Sequence, residues 1–154
     1  MNDAMTTVLV ATGILGIKMW ITGTIATYVR GRVMESPNGE DGAVMNFFNR
    51  IFVVPRRPLE VLADGHERDG TVNRWVRIGS NDAANIPIGL IALFMAASAS
   101  TLESDVLIAL VWVFVGARFA HTVTYAMAMQ PWRTFFYSVS SIAWLIAATS
   151  LLLV

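Results

Sequence analysis

The sequence contains no cysteine. Disulfide frameworks, thiolate metal sites and cysteine nucleophiles are therefore excluded, and any thiol chemistry needs a thiol brought by a ligand. Charge is scarce as well: Asp, Glu, Lys and Arg make up 14% of the residues, and eleven basic residues balance eleven acidic ones. With no net charge and no basic run, neither a global field nor a local patch recruits nucleic acid, so a nucleic-acid partner is not expected. Histidine occurs twice and proline five times. No internal repeat or low-complexity tract is present, and no metal site is expected.

What the chain has instead is apolar length. In 154 residues, 55% are hydrophobic, and the mean hydropathy is +0.57. That is too apolar for an ordinary soluble domain, and the chain is short for two domains. Four stretches approach the roughly 20 apolar residues that a helix needs to cross the hydrocarbon. They run over about 7–28, 83–100, 106–129 and 135–154. The first lacks the basic start and cleavage site of a signal peptide and carries Lys18 in mid-span, so it reads as a retained helix.

The expected architecture is an all-α integral membrane protein, a single domain over 1–154 with four helices running up, down, up and down. Short connections at Ser100–Asp105 and Met129–Thr134 make successive helices antiparallel neighbours. A long polar loop over 30–81 holds most of the charge. Within it, Met45–Val54 is apolar but too short to span, which suits a half-buried interfacial segment, a small strand or a partner contact. Arginine gathers in the first and third loops. The positive-inside rule then puts the long first loop on the cytoplasmic side and both termini on the other.

Polar residues inside such spans are costly and therefore informative. A charged side chain at the bilayer centre costs about 2.5–3.5 kcal/mol on insertion scales, so Lys18, Asp82 and Arg118 each need a partner or a wet cavity. A Lys18–Asp82 pair that only sets helix register is one reading, with Arg118 snorkelling or capping a neighbouring helix. At the entry to the second span, in NRWVRIGSNDAANIP, residues Arg74, Arg77, Asn81 and Ala84 follow steps of three, four and three and share one helical stripe. Two guanidiniums and an amide on one stripe suit a carboxylate, whose geometry the guanidinium fork matches. Lipid phosphate satisfies the same stripe.

The third span carries RFAHTVTY, which aligns Arg118, His121 and Tyr125 on one face. His121 is then either a packed, hydrogen-bonded core residue or part of a site. In PWRTFFYSVS, Arg133, Thr134 and Tyr137 open the fourth span, where Thr134 can act as a helix cap and Arg133 as an interfacial anchor. Arg30, Arg74, Arg77, Tyr125 and Arg133 all fall toward one membrane face. Such a cluster suits a small, multiply charged anion held beside an apolar compartment for a lipophilic small-molecule substrate, with membrane lipid around it.

The motifs LGIKMWITGTIATYVRGR, VNRWVRIGSNDAANIP and ARFAHTVTYAMAMQPWRTFFYS, taken in this order, resemble the membrane-associated eicosanoid and glutathione metabolism family. The resemblance covers most of the chain outside the first loop. It implies a four-helix protomer assembled as a homotrimer, with glutathione between protomers near the cytoplasmic side. By position it implies Arg30, Arg77, Asn81, His121, Tyr125 and Tyr137 as glutathione-binding residues, with Arg133, Thr134 and Asp41 as catalytic ones. Arg133 would hold the thiol as thiolate, since a nearby cation lowers a thiol's pKa. Thr134 stands where the family has a serine hydroxyl. Asn38 and Asp41 fall, loosely aligned, where polar residues serve isomerisation.

Two positions depart from the family motif: Ser80 stands in place of an arginine, and Ala84 in place of a glutamate that receives the amino group of glutathione. Losing that contact costs roughly 1.5–3 kcal/mol. The first loop is also enlarged by RRPLEVLADGHERDG, a cap over the site or a docking surface. The expected function is a glutathione-dependent transferase, isomerase or peroxidase acting on a lipophilic electrophile. The alternatives are a non-catalytic accessory or structural subunit of a larger membrane complex, an anionic-lipid scaffold, or a site adapted to another thiol or anion.

Overall fold

A computed structural model describes residues 2–32, 70–99 and 102–153. Its elements are helices α1 (Asp3–Arg32), α2 (Gly70–Ala99), α3 (Ser104–Ala126) and α4 (Trp132–Ser150), followed by a 3₁₀ turn over Leu151–Leu153. All four helices are long and apolar enough to cross a membrane, over Asp3–Tyr28, Arg74–Ala99, Ser104–Ala126 and Trp132–Leu153. The described residues form only helices and turns, and the chain is a multi-pass integral membrane protein. Asp41 and Asn38, the segment Met45–Val54, most of the enlarged first loop, and the side chain of Arg30 lie outside the described residues.

Each helix buries one stripe spaced for a 3.6-residue period. In α1 this is Ala4, Val8, Ala11, Leu15, Lys18 and Thr22; in α2, Ile78, Asp82, Ile86, Gly89 and Leu93. In α3 it is Leu107, Val111, Phe114, Arg118 and His121; in α4, Ser140, Ala143, Ala147 and Ser150. The outward faces carry Leu9, Ile17, Trp20, Ile91, Phe94, Trp112, Val123 and Ile146, the surface that lipid requires. Lipid tails are as apolar as these side chains, so association between helices rests on close packing and polar contacts. Small buried residues supply that closeness: Ala4, Ala11, Ala96, Ala143, Ala147 and Gly89.

Helices α2 and α3 form the middle of the bundle. Helix α1 packs on both and α4 packs on both, with the α1–α2 and α3–α4 contacts the most extensive. Helix α1 runs antiparallel to α2: Asn2 near its start donates to the Ala97 carbonyl at 3.4 Å, while Lys18 further along meets Asp82. The end of α1, the start of α2, the end of α3 and the start of α4 consequently share one end of the bundle. That end carries Arg77 and Arg133, and the opposite end carries Asp3, Glu103 and Asp105.

Helices α1 and α2 are longer than hydropathy alone suggests. Residues 70–81, expected in the polar loop, are the first three turns of α2. Hydropathy measures the hydrocarbon crossing, whereas a helix continues into the interface wherever its residues tolerate the conformation. Helix α1 likewise starts at Asp3, with Asn2 as its cap: the Asn2 side-chain oxygen accepts from the Met5 amide at 2.7 Å. Helix α3 ends at Ala126, three residues before the expected limit. The amides of Ala128 and Met129 donate to the carbonyls of Tyr125 and Thr124, a Schellman closure. This closure puts Ala128 at φ 57°, a left-handed conformation that glycine adopts without strain.

Helices α2 and α3 approach closely at Gly89. A Cβ on Gly89 would collide with the Phe114 ring, which has no exposure. Gly89→Ala is expected to lower stability by about 1–3 kcal/mol through overpacking. Thermal unfolding in detergent should show this loss, and pairing the change with Phe114→Leu should recover most of it.

Candidate functional site

The three charged residues that hydropathy places inside the spans meet one another. Lys18 Nζ donates to Asp82 Oδ2 at 2.5 Å, and Arg118 Nη2 donates to Asp82 Oδ1 at 2.6 Å. Asp82 is 1% exposed and Arg118 0%. Thr22 Oγ1 lies 3.3 Å from Asp82 Oδ2. The Lys18–Asp82 pair is thus the one foreseen from hydropathy. Arg118 departs from expectation: it neither snorkels nor caps a helix but shares the same carboxylate. A planar guanidinium with several donors serves a shared carboxylate well, and Arg118 lies fully buried on the core stripe of α3.

Arg118 also ties the core to the outer face. The same Nη2 donates to Asn81 Oδ1 at 2.8 Å. Asn85, one turn further along α2, donates from Nδ2 to the Asn81 carbonyl at 2.8 Å, and its Oδ1 lies 3.3 Å from the Tyr137 hydroxyl of α4. Tyr137 sits 6.0 Å from His121, ring centre to ring centre, and His121 sits 5.6 Å from Tyr125 in an edge-to-face pair. The guanidinium of Arg133 lies 4.4 Å over the Tyr125 ring, a cation–π contact. Helices α2, α3 and α4 thus bring Asn81, His121, Tyr125, Arg133 and Tyr137 into one continuous polar and aromatic array.

The remaining candidates sit around this array. Arg77 is exposed on α2, one turn before Asn81, and Ala84 and Ser80 are exposed on the same helix. Thr134 is exposed beside Arg133, and its amide donates to the Pro131 carbonyl at 3.0 Å. His121 is packed and 2% exposed, yet its Nδ1 has no hydrogen-bond partner among the described residues, so the reading of a hydrogen-bonded core histidine is only half met. Arg118 Nε and Nη1 are likewise buried without an acceptor there. Among the described residues, no three His, Asp or Glu side chains gather as metal ligands.

Asn85 was not expected among the site residues. Its signal was the spacing of Asn81 and Asn85, four apart on one helix, which puts both amides in neighbouring turns. Assigning Asn85 a role needs the position of Tyr137 across the helix interface.

Four lipid-facing helices around a buried ion triad, with a polar array reaching from the core to one end, define a multi-pass membrane protein with a built intramembrane polar site. The chain belongs to the MAPEG family, whose match covers residues 7–153. That family includes glutathione-dependent transferases and isomerases as well as non-catalytic members. A search of curated proteins finds no match.

Proposed function

We propose that this protein is a glutathione-dependent membrane enzyme that transfers, isomerises or reduces at a lipophilic electrophile. The observation that carries this reading is the array joining Asn81, Asn85, Tyr137, His121, Tyr125 and Arg133 at the arginine-bearing end of the bundle. Arg77, Asn81, His121, Tyr125, Tyr137 and Arg30 hold the tripeptide. Arg133 stabilises its thiolate, Thr134 offers a hydroxyl to the sulfur, and Asp41 assists proton movement at the substrate. The lipophilic substrate enters from the membrane. The order of its motifs favours a likeness to microsomal prostaglandin E synthase. The working unit is a homotrimer, with the first loop and the arginine-bearing end facing the cytoplasm.

One observation favours a second reading. Ala84 and Ser80 put no charge on the exposed face of α2, so the amino group of glutathione has no carboxylate there. In this reading the fold persists as a non-catalytic subunit of a larger membrane complex, or the site takes another thiol or anion.

Glutathione binding to the detergent-purified protein separates the two. Calorimetry is expected to show saturable binding that weakens by at least tenfold in Arg77→Ala, in line with one lost charge-assisted contact of about 1.5–3 kcal/mol. Ala84→Glu is expected to tighten binding. Wild-type protein that ignores glutathione while Ala84→Glu binds it would overturn the enzyme reading in favour of the second.

A further inference from the structure

Asn81 sits where the buried triad meets the site, and the hydrogen-bond chemistry there decides which end of its amide is turned inward. A guanidinium can only donate, so the atom facing Arg118 Nη2 at 2.8 Å must be the amide oxygen. The two donors of Asn81 are then on the other arm of the amide. Asn85 has the same fixed polarity: its Nδ2 donates to the Asn81 carbonyl, so its Oδ1 accepts the Tyr137 proton. Asp82 faces the core rather than the site: Lys18 and Thr22 meet one carboxylate oxygen and Arg118 the other, and the residue is 1% exposed.

We infer that the Lys18–Asp82–Arg118 triad is a positioning device that holds Asn81 as a hydrogen-bond donor, so that the site selects a ligand carboxylate. The inference deepens the proposed function and rests on its placement of the ligand beside Asn81. Arg118 never touches the ligand; it acts through Asn81. Without Arg118 the amide turns over at little cost, because its oxygen and nitrogen arms have the same shape, and the preference for an anion goes with it. Asp82 holds Arg118 in place, and Lys18 occupies the second carboxylate oxygen so that the carboxylate does not rotate toward the site.

The test uses the full chain in detergent micelles, labelled with ¹⁵N-asparagine, with the Asn81 side-chain resonance assigned by its loss in Asn81→Ala. The probes are glutathione, its diethyl ester, acetate and inorganic phosphate. Glutathione is expected to move the Asn81 amide protons downfield, while the ester leaves them in place. Arg118→Met, which leaves a neutral Lys18–Asp82 pair in the core, is expected to bind glutathione about ten- to a hundredfold more weakly, with binding of the ester unchanged. A merely structural role would weaken both equally.

A response to acetate without glutathione binding would support the positioning role and sink the glutathione reading, whereas a response to phosphate alone would overturn the selection of a carboxylate. Calorimetric glutathione binding that leaves the Asn81 resonance unmoved, or equal responses to glutathione and its ester, would overturn the positioning role. Wild-type discrimination retained in Arg118→Met would do the same. Should Arg118→Met not fold, the wild-type comparison of acid and ester decides by itself.

Discussion

Asp82→Asn is expected to destabilise the protein by about 3–5 kcal/mol, the cost of removing one partner from a buried ion pair. The wild-type cluster already sets two cations against a single carboxylate. Asparagine keeps the shape of the side chain but removes its charge, leaving Lys18 and Arg118 facing each other in a part of the bundle with almost no exposure. Lys18→Met is expected to do far less, within about 1 kcal/mol, because the remaining Asp82–Arg118 pair is neutral and methionine fills a similar volume. The triple replacement Lys18→Met, Asp82→Leu and Arg118→Met is expected to recover wild-type stability or exceed it, since well-packed apolar residues commonly replace buried ion clusters without loss. Thermal or SDS-titrated unfolding of the four proteins checks this order. A Lys18→Met protein less stable than Asp82→Asn would refute the charge accounting.

Arg133→Ala carries the largest expected effect on activity, and it follows from the proposed thiolate role. A free thiol with a pKa near 8.5 is about 3% ionised at pH 7. An adjacent guanidinium that lowers this value by about 1–2 units brings the thiolate fraction to roughly a quarter or more. Without the guanidinium the thiol's pKa rises, so the acidic limb of the rate profile moves to higher pH by about the same 1–2 units. Turnover at pH 7 is then expected to fall about tenfold or more and to return as the pH rises. Arg133→Lys keeps a cation but not the planar stack on Tyr125, so it is expected to recover part of the profile. Equal losses at every pH in Arg133→Ala would assign the residue to ligand binding instead.

Both expectations involve residues whose depth was legible before their partners were. Hydropathy placed Lys18, Asp82 and Arg118 inside the spans, and the structure buries them on stripes shared with Leu15, Ile86 and Phe114. The 3.6-residue period put Arg74, Arg77, Asn81 and Ala84 on one stripe of α2, of which the structure leaves Arg77 and Ala84 exposed. Helix ends were harder to read. Hydropathy is blind to the polar first turns of α2, and the stop after Ala126 depends on backbone hydrogen bonds that no apolar count registers.

Sequence by itself determined the class of this protein: four apolar runs of membrane length, an absence of thiols, and a scarcity of charge that leaves each intramembrane ion needing a partner. Those are consequences of composition and period, which act locally along the chain. Tertiary structure decided the partners. One carboxylate serves both Lys18 and Arg118, and the same Arg118 nitrogen also reaches Asn81. Asn85 meets Tyr137, and Arg133 lies on Tyr125. Period tells which face a side chain takes, whereas a hydrogen bond needs the distance and rotation between two helices, and those come from how Gly89, Phe114 and the buried alanines let the helices approach.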